Sequence, residues 1–207
     1  EIYTLSLHDA LPIFHMRTIK KVASHIFIDG FGGMTQGLFA TLIIGTIIQQ
    51  IGLLIGGSTG NVIYLLGKAA AALTSAGIGV GVAVKYGESP LVTVSAAVAA
   101  MVGGYAGKIT GGTFFVDGNA VLAGPGEPLG AFIAAFAGIT CGHLVSGKTK
   151  VDIIVTPVIT IGAGSVVGLL VGPPISQMMT GLGSIINWAT EQRPFIKIGR
   201  ASCRERV

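Results

Sequence analysis

The sequence predicts an all-α fold, a polytopic transmembrane helical bundle with five to six spans in a truncated fragment. Three observations predict it. Charged residues make up 11% of the chain, against about 25% in a typical soluble protein. Mean hydropathy is +0.77. The few charges are also clustered, so that the windows 30–67, 89–107, 128–147 and 153–190 hold none. A helix needs about 20 apolar residues to cross a bilayer, whereas an apolar strand of a soluble α/β protein runs only about 4–8 residues between polar turns. The first and last windows exceed the membrane requirement, so a soluble α/β reading is rejected.

Five spans follow in order, at 37–56, 62–84, 90–107, 129–146 and 153–172. The turn-forming run Gly57-Ser58-Thr59-Gly60-Asn61 should end the first, and Pro173-Pro174 should close the fifth. The segment 175–189 is short and carries Gln177, Asn187 and Trp188, which suits a sixth span or an interfacial helix. Pro157 inside the fifth span suggests a kink or a broken helix, a device of transporters near substrate sites. Glycines recur at four-residue spacing in Gly77/Gly81, Gly103/Gly107, Gly138/Gly142 and Gly164/Gly168/Gly172. In lipid such residues let helix backbones approach closely.

The two ends read differently. Residues 1–13 and 198–207 back-translate to DNA strings of which one is the reverse complement of the core of the other, shifted by one frame. Both resemble a sequencing-library adapter translated as protein, and such scars are set aside in fold reasoning. The expectation is an authentic transmembrane unit over 14–197 whose carboxyl part is missing, with Met16 a candidate start. Cys203 then drops out and Cys141 stands alone, so no intramolecular disulfide is expected. Arg200, Arg204 and Arg206 drop out as well, and the formal charge of +4 gives no ground for a nucleic-acid partner.

Loop charges set the expected orientation. Under alternating threading Arg17, Lys20, Lys21, Lys85, Lys148 and Lys150 fall on one side, and Lys108 with Asp117 and Glu127 on the other. The amino end is therefore expected in the cytoplasm, in a multi-pass protein of a bacterial inner membrane.

The motifs narrow the chemistry. The glycines of 162–168 imitate a dinucleotide fingerprint, but they lie inside an uncharged run of membrane length rather than a strand–turn–helix unit. No set of His and Cys has metal-ligand spacing, and neither a metal nor another cofactor is expected. Cys141 and His143 share the fourth span; Cys141 reads as packing, and His143, near the cytoplasmic end, as a substrate or proton contact or a packed side chain. Lys68 lies about two turns into the second span, where an ammonium must snorkel or pair, with Glu127 or Asp117 as partner. The segment 110–129 joins flexible glycines to Phe114, Phe115, Asp117, Asn119 and Glu127. Acid and amide groups beside an aromatic face suit a sugar.

The strings 28–52, 147–176 and 181–195 carry a resemblance to the subunit IIC-like membrane family of the phosphotransferase system, which includes regulators of perfringolysin production. The resemblance implies an inner-membrane protein that binds and translocates a carbohydrate by alternating access. Soluble carrier subunits would bring the phosphoryl group, which this chain does not itself carry. It also implies the lipid bilayer as surroundings and leaves a homo-oligomer open. Transporters of this class place a glutamate in a Gly-x-x-Glu-Pro setting at the sugar, and Gly124-Pro125-Gly126-Glu127-Pro128 is similar. The expected substrate contacts are Glu127, Asn119, Asp117 and His143, with Lys68 a further candidate and no catalytic residue. Two competing expectations are a membrane sensor or regulator that binds without transporting, and a transporter of a small organic anion built on Lys68.

Overall fold

The computed structural model describes residues 25–191 except 117, 123, 149 and 150. The expectations for 1–13, for 198–207 and for the side chain of Asp117 therefore lie outside the described residues. The rest is almost wholly helical, the all-α membrane bundle that the composition predicts. Its elements are α1 (Ile28–Ile55), α2 (Gly57–Ala72), α3 (Thr74–Lys85), α4 (Pro90–Gly104), α5 (Ala106–Thr110), α6 (Pro128–Val145) and α7 (Asp152–Glu191). One small antiparallel hairpin, β1 (Phe115–Val116) and β2 (Asn119–Ala120), lies between α5 and α6.

Among the described residues three helices are long and apolar enough to cross a membrane, α1, α6 and the stretch Asp152–Ala189 of α7, and a fourth is if α2 and α3 count as one bent span. α4 is apolar but shorter. Each of the five spans read from the sequence thus meets a helical unit, with two differences. The second is not one helix: α2 and α3 meet at 52°. At the break Leu73 has φ −86° and ψ 10°; backbone N–H groups of the cap reach Ala70 O and Ala71 O, and side chains add to them. Thr74 Oγ1 donates to Ala71 O at 2.6 Å and Tyr105 Oη to Ala72 O at 3.1 Å. Where water cannot reach, a helix breaks only if the freed backbone groups find such partners.

The other difference is in α7, which runs unbroken through Pro157, Pro173 and Pro174 and takes in the expected sixth segment. Proline removes an amide donor and clashes with the preceding turn. Inside a lipid-solvated bundle, however, neighbouring helices hold the flanking turns in place.

α1 and the bent pair α2–α3 form an antiparallel hairpin held by glycines facing glycines. A Cβ on Gly33 would stand 2.5 Å from Gly81 O, one on Gly67 2.5 Å from Gly45 O, and one on Gly60 2.5 Å from Gly52 O. Backbone thus lies on backbone along the whole hairpin. Its tip, Gly56-Gly57, needs φ of +65° and +64°, which only glycine adopts freely. A π-helical turn at Phe39–Ile43 packs against both α2 and α3.

The first half of α1 then lies on α3, and α3, α4, α6 and α7 pack together as the core. Ile78, Val82, Val92, Ala100, Ala131 and Ile139 are among its buried apolar residues. The small-residue pairs read from the sequence do the packing expected of them: Gly103 lies on Gly130, Gly138 on Thr160, and Gly164 on Ala99 and Ala134. Of the glycines that imitate a nucleotide fingerprint, Gly164 and Gly168 belong to this helix contact, and Gly162 faces open space.

Candidate functional site

The two ends of the core differ in chemistry. At one end the α3–α4 loop meets the end of α6. His143 Nδ1 is 3.0 Å from Glu88, and the hydroxyls of Ser89 and Ser146 are 3.2 Å apart. Asp152 caps the next connection, accepting from Gly147 N–H at 3.0 Å and from Thr156 Oγ1 at 2.6 Å. His143 is 70% exposed here and its partner Glu88 only 9%, so the pair closes a loop rather than lining a cavity.

At the other end lies a cavity of about 270 Å³ lined by Gly104, Gly107, Lys108, Gly126, Glu127 and Ser176, with Pro125 at its edge. That is close to the ~300 Å³ at which small-molecule sites begin. Four parts of the chain build it. α4 and α5 supply Gly104, Gly107 and Lys108, which share a face at helical spacing. α7 supplies Ser176, whose hydroxyl would be 2.9 Å from a Cβ on Gly107. The segment before α6 supplies the rest. Glycines leave the walls bare, so the polar reach into the space belongs to Glu127, Lys108 and Ser176.

That last segment is pinned by its backbone. Gly124 and Gly126 have φ of +81° and +76°, which lets the chain double back before Pro128 starts α6. Glu127 N–H donates to Gly104 O at 2.7 Å, Ser75 Oγ to Pro125 O at 2.9 Å, and Tyr105 Oη to Gly124 O. Glu127 then occupies the N-cap position of α6 but makes no side-chain cap. Its carboxylate has no ion pair or hydrogen bond among the described residues, and it is half-buried at the positive end of a helix dipole. A carboxylate so placed is an acceptor held ready for donors that the described residues do not supply. The ring of Tyr105 carries Lys108 Nζ 5.2 Å from its centroid and Phe114 at 5.4 Å, with Phe115 4.9 Å beyond Phe114.

Of the substrate contacts expected from the sequence, Glu127 alone lines this cavity among the described residues. Asn119 is exposed on β2, in the loop that covers the same end of the core. Asp117 lies outside the described residues. His143 sits about 24 Å away along α6, at the opposite end. Lys68 is exposed on α2, makes no ion pair among the described residues and is not part of the cavity wall. Cys141 is a half-buried free thiol.

Sequence reasoning missed Lys108, Ser176, Tyr105 and Ser75. Lys108 was legible, since Gly104, Gly107 and Lys108 fall at i, i+3 and i+4. Ser176 was not, because only the unbroken run of α7 past two prolines brings it there.

A family model described as "Phosphotransferase system, EIIC" matches residues 28–198 of the chain. No match is found among curated proteins or among solved structures.

Proposed function

Because the chain belongs to the EIIC family of the phosphotransferase system, and so is a membrane-embedded subunit of a sugar transporter, we propose that the cavity at Glu127 is where its carbohydrate is bound. The carrying observation is the unpartnered, half-buried carboxylate at the wall of a glycine-lined space. Sugar hydroxyls are donors that such a carboxylate lacks, and a hydrogen bond to a charged group contributes about 1.5–3 kcal/mol. The ammonium of Lys108 and the hydroxyl of Ser176 offer donors to the remaining sugar oxygens. Phe114 and Phe115 supply an aromatic face at the same end. Asn119 and Asp117 belong to the loop over the cavity, and we assign them to its rim. The chain contributes binding and passage; phosphoryl transfer falls to soluble carrier subunits.

The charges support an orientation. Lys85, Lys148 and the His143–Glu88 pair share one end of the core, and Lys108 and Glu127 the other. Among the described residues the first end carries two lysines and the other one, and the larger number favours the cytoplasmic side for the first end and for the amino end of α1. The cavity then faces outward in this conformation, and His143 and Glu88 close the inner end.

Uptake by cells of labelled hexoses, hexitols and disaccharides tests the assignment. Glu127→Gln keeps the size of the side chain and removes its charge. It should abolish accumulation of the transported sugar while membrane insertion stays at the unsubstituted level. Unchanged uptake by Glu127→Gln would remove that residue from the site. Binding of a sugar by vesicles without accumulation would point instead to a sensor or regulator.

A further inference from the structure

The hydroxyl of Tyr105 stands between two carbonyls from different parts of the molecule. One is Ala72 O, at the break between α2 and α3, 3.1 Å away. The other is Gly124 O, in the segment that leads to Glu127. A phenol has one proton to donate, so it serves these carbonyls in competition. Each has an alternative. If α2 and α3 joined into one straight helix, Ala72 O would accept from the amide of Ala76, four residues on. If the segment lifted, Gly124 O, which lies at an exposed position, would turn to water.

Tyr105 itself has little freedom, since it is 1% exposed and its ring is wedged against Phe114. Ser75 repeats the arrangement. It is fully buried, it lies just past the same break, and its hydroxyl holds Pro125 O at 2.9 Å. Both side chains that pin 124–126 are therefore seated at helix breaks, one between α2 and α3 and one between α4 and α5.

We propose that Tyr105 and Ser75 are positioning residues that couple the bend between α2 and α3 to the placement of Glu127 in the cavity. Straightening the bend rotates Ser75 away from Pro125 and returns Ala72 O to the backbone ladder, and Glu127 loses the segment that holds it. The coupling is reciprocal, so whatever fixes Glu127 also fixes the bend. Its functional meaning rests on Glu127 as the sugar ligand. The coupling is measured without sugar, so each of the two can fail alone.

The test uses the chain in lipid nanodiscs with Cys141→Ser and Cys203→Ser. Spin labels at Leu66→Cys on α2 and Val84→Cys on α3, both 62% exposed, report the bend as a distance. The rate at which a hydrophobic carbodiimide modifies Glu127, located by mass spectrometry, reports the placement of the carboxylate. Thr74→Val removes only the hydroxyl that serves Ala71 O at the break. It should shift the distance distribution and change the Glu127 labelling rate by at least about twofold. With Tyr105→Phe and Ser75→Ala added, the distance should still shift and the labelling should no longer respond.

A shifted distance with unchanged labelling in the Thr74→Val protein overturns the proposal. So does a labelling response of equal size in the combined variant. An unmoved distance in Thr74→Val overturns it as well, because the bend would then not depend on its carbonyl partners. If the combined variant does not fold, the Thr74→Val pair of readings decides.

Discussion

The arm formed by the second half of α1 with α2 and the core formed by α3, α4, α6 and α7 use the same residue type to opposite ends. In both, glycines bring backbones into contact. In the core each glycine contact is one of several around a helix, and Ser75, Ser95, Thr156 and Thr160 are buried with the alanines. In the arm α2 packs almost only on α1. Ile51, Leu54, Ile55, Leu65 and Leu66 are left exposed on the outside. Lipid tails are as apolar as leucine, so no hydrophobic force drives helices together within the bilayer. What separates core from arm is therefore how many close contacts each helix makes.

The largest expected effect comes from overfilling the core. A side chain on Gly103 would meet Ala134 Cβ, and its Cβ would be 2.5 Å from Gly130 O. Gly168 of α7 lies against the same residue, since a Cβ on it would stand 2.8 Å from Gly103 Cα. Backbone cannot yield as a side-chain tip can, so Gly103→Leu should cost about 3 kcal/mol or more. Tm in detergent should fall by roughly 6–12 °C, with loss of the monodisperse peak on size exclusion. A drop within about 2 °C would mean that the close approach of α4 and α6 is not what holds the core.

A smaller and more local effect is expected in the arm. Gly67→Ala sets a methyl 2.5 Å from Gly45 O and 2.6 Å from Gln49 N. If the arm yields by about 1.4 kcal/mol, its opening rises about tenfold. Protease cleavage within 44–72 should accelerate by that factor while the core melts at its original temperature. Simultaneous loss of both would show that arm and core are one cooperative unit.

How much of this was legible follows the same division. Spacing along one helix was readable, so the glycine pairs at 103/107, 138/142 and 164/168 announced packing and delivered it. Glu127 was readable too, because a lone acid between Gly126 and Pro128 has little local structural work to do. The break at Leu73 was not, since no proline marks it. A carbonyl beside it, Ala72 O, accepts from Tyr105, thirty-three positions further along the chain. The unbroken α7 reversed the local signal: Pro173-Pro174 reads as a stop in isolation, and only packing against neighbouring helices carries the helix through. His143 and Glu127 do not meet, for a simpler reason. They lie at opposite ends of α6, and helix rise alone separates them.

Next in size is the pair that closes the far end of the core. Glu88 is nearly buried, whereas His143 is mostly exposed, so solvent screens much of the attraction and about 0.5–1 kcal/mol is expected from it. Glu88→Gln keeps a hydrogen-bond acceptor beside Nδ1 and should lower Tm by no more than about 4 °C. A much larger fall would place the anchoring of the α3–α4 loop in that carboxylate rather than in the Ser89–Ser146 contact.

The smallest effect sharpens the comparison most. Leu54, at the tip of the arm, is 86% exposed. In water such a side chain would invite association, but against lipid tails its truncation loses only contacts that the tails replace. Leu54→Ala should therefore change the stability of the protein in nanodiscs by less than about 0.5 kcal/mol, read as an unshifted melting curve. Val82→Ala, a smaller truncation at a fully buried site on α3, should cost more, about 1–2 kcal/mol. Should Leu54→Ala cost as much as Val82→Ala, the outer face of the arm is covered by protein and not by lipid. The arm would then be the surface on which a second copy or another protein helix docks, and its exposed leucines would have to be counted as core.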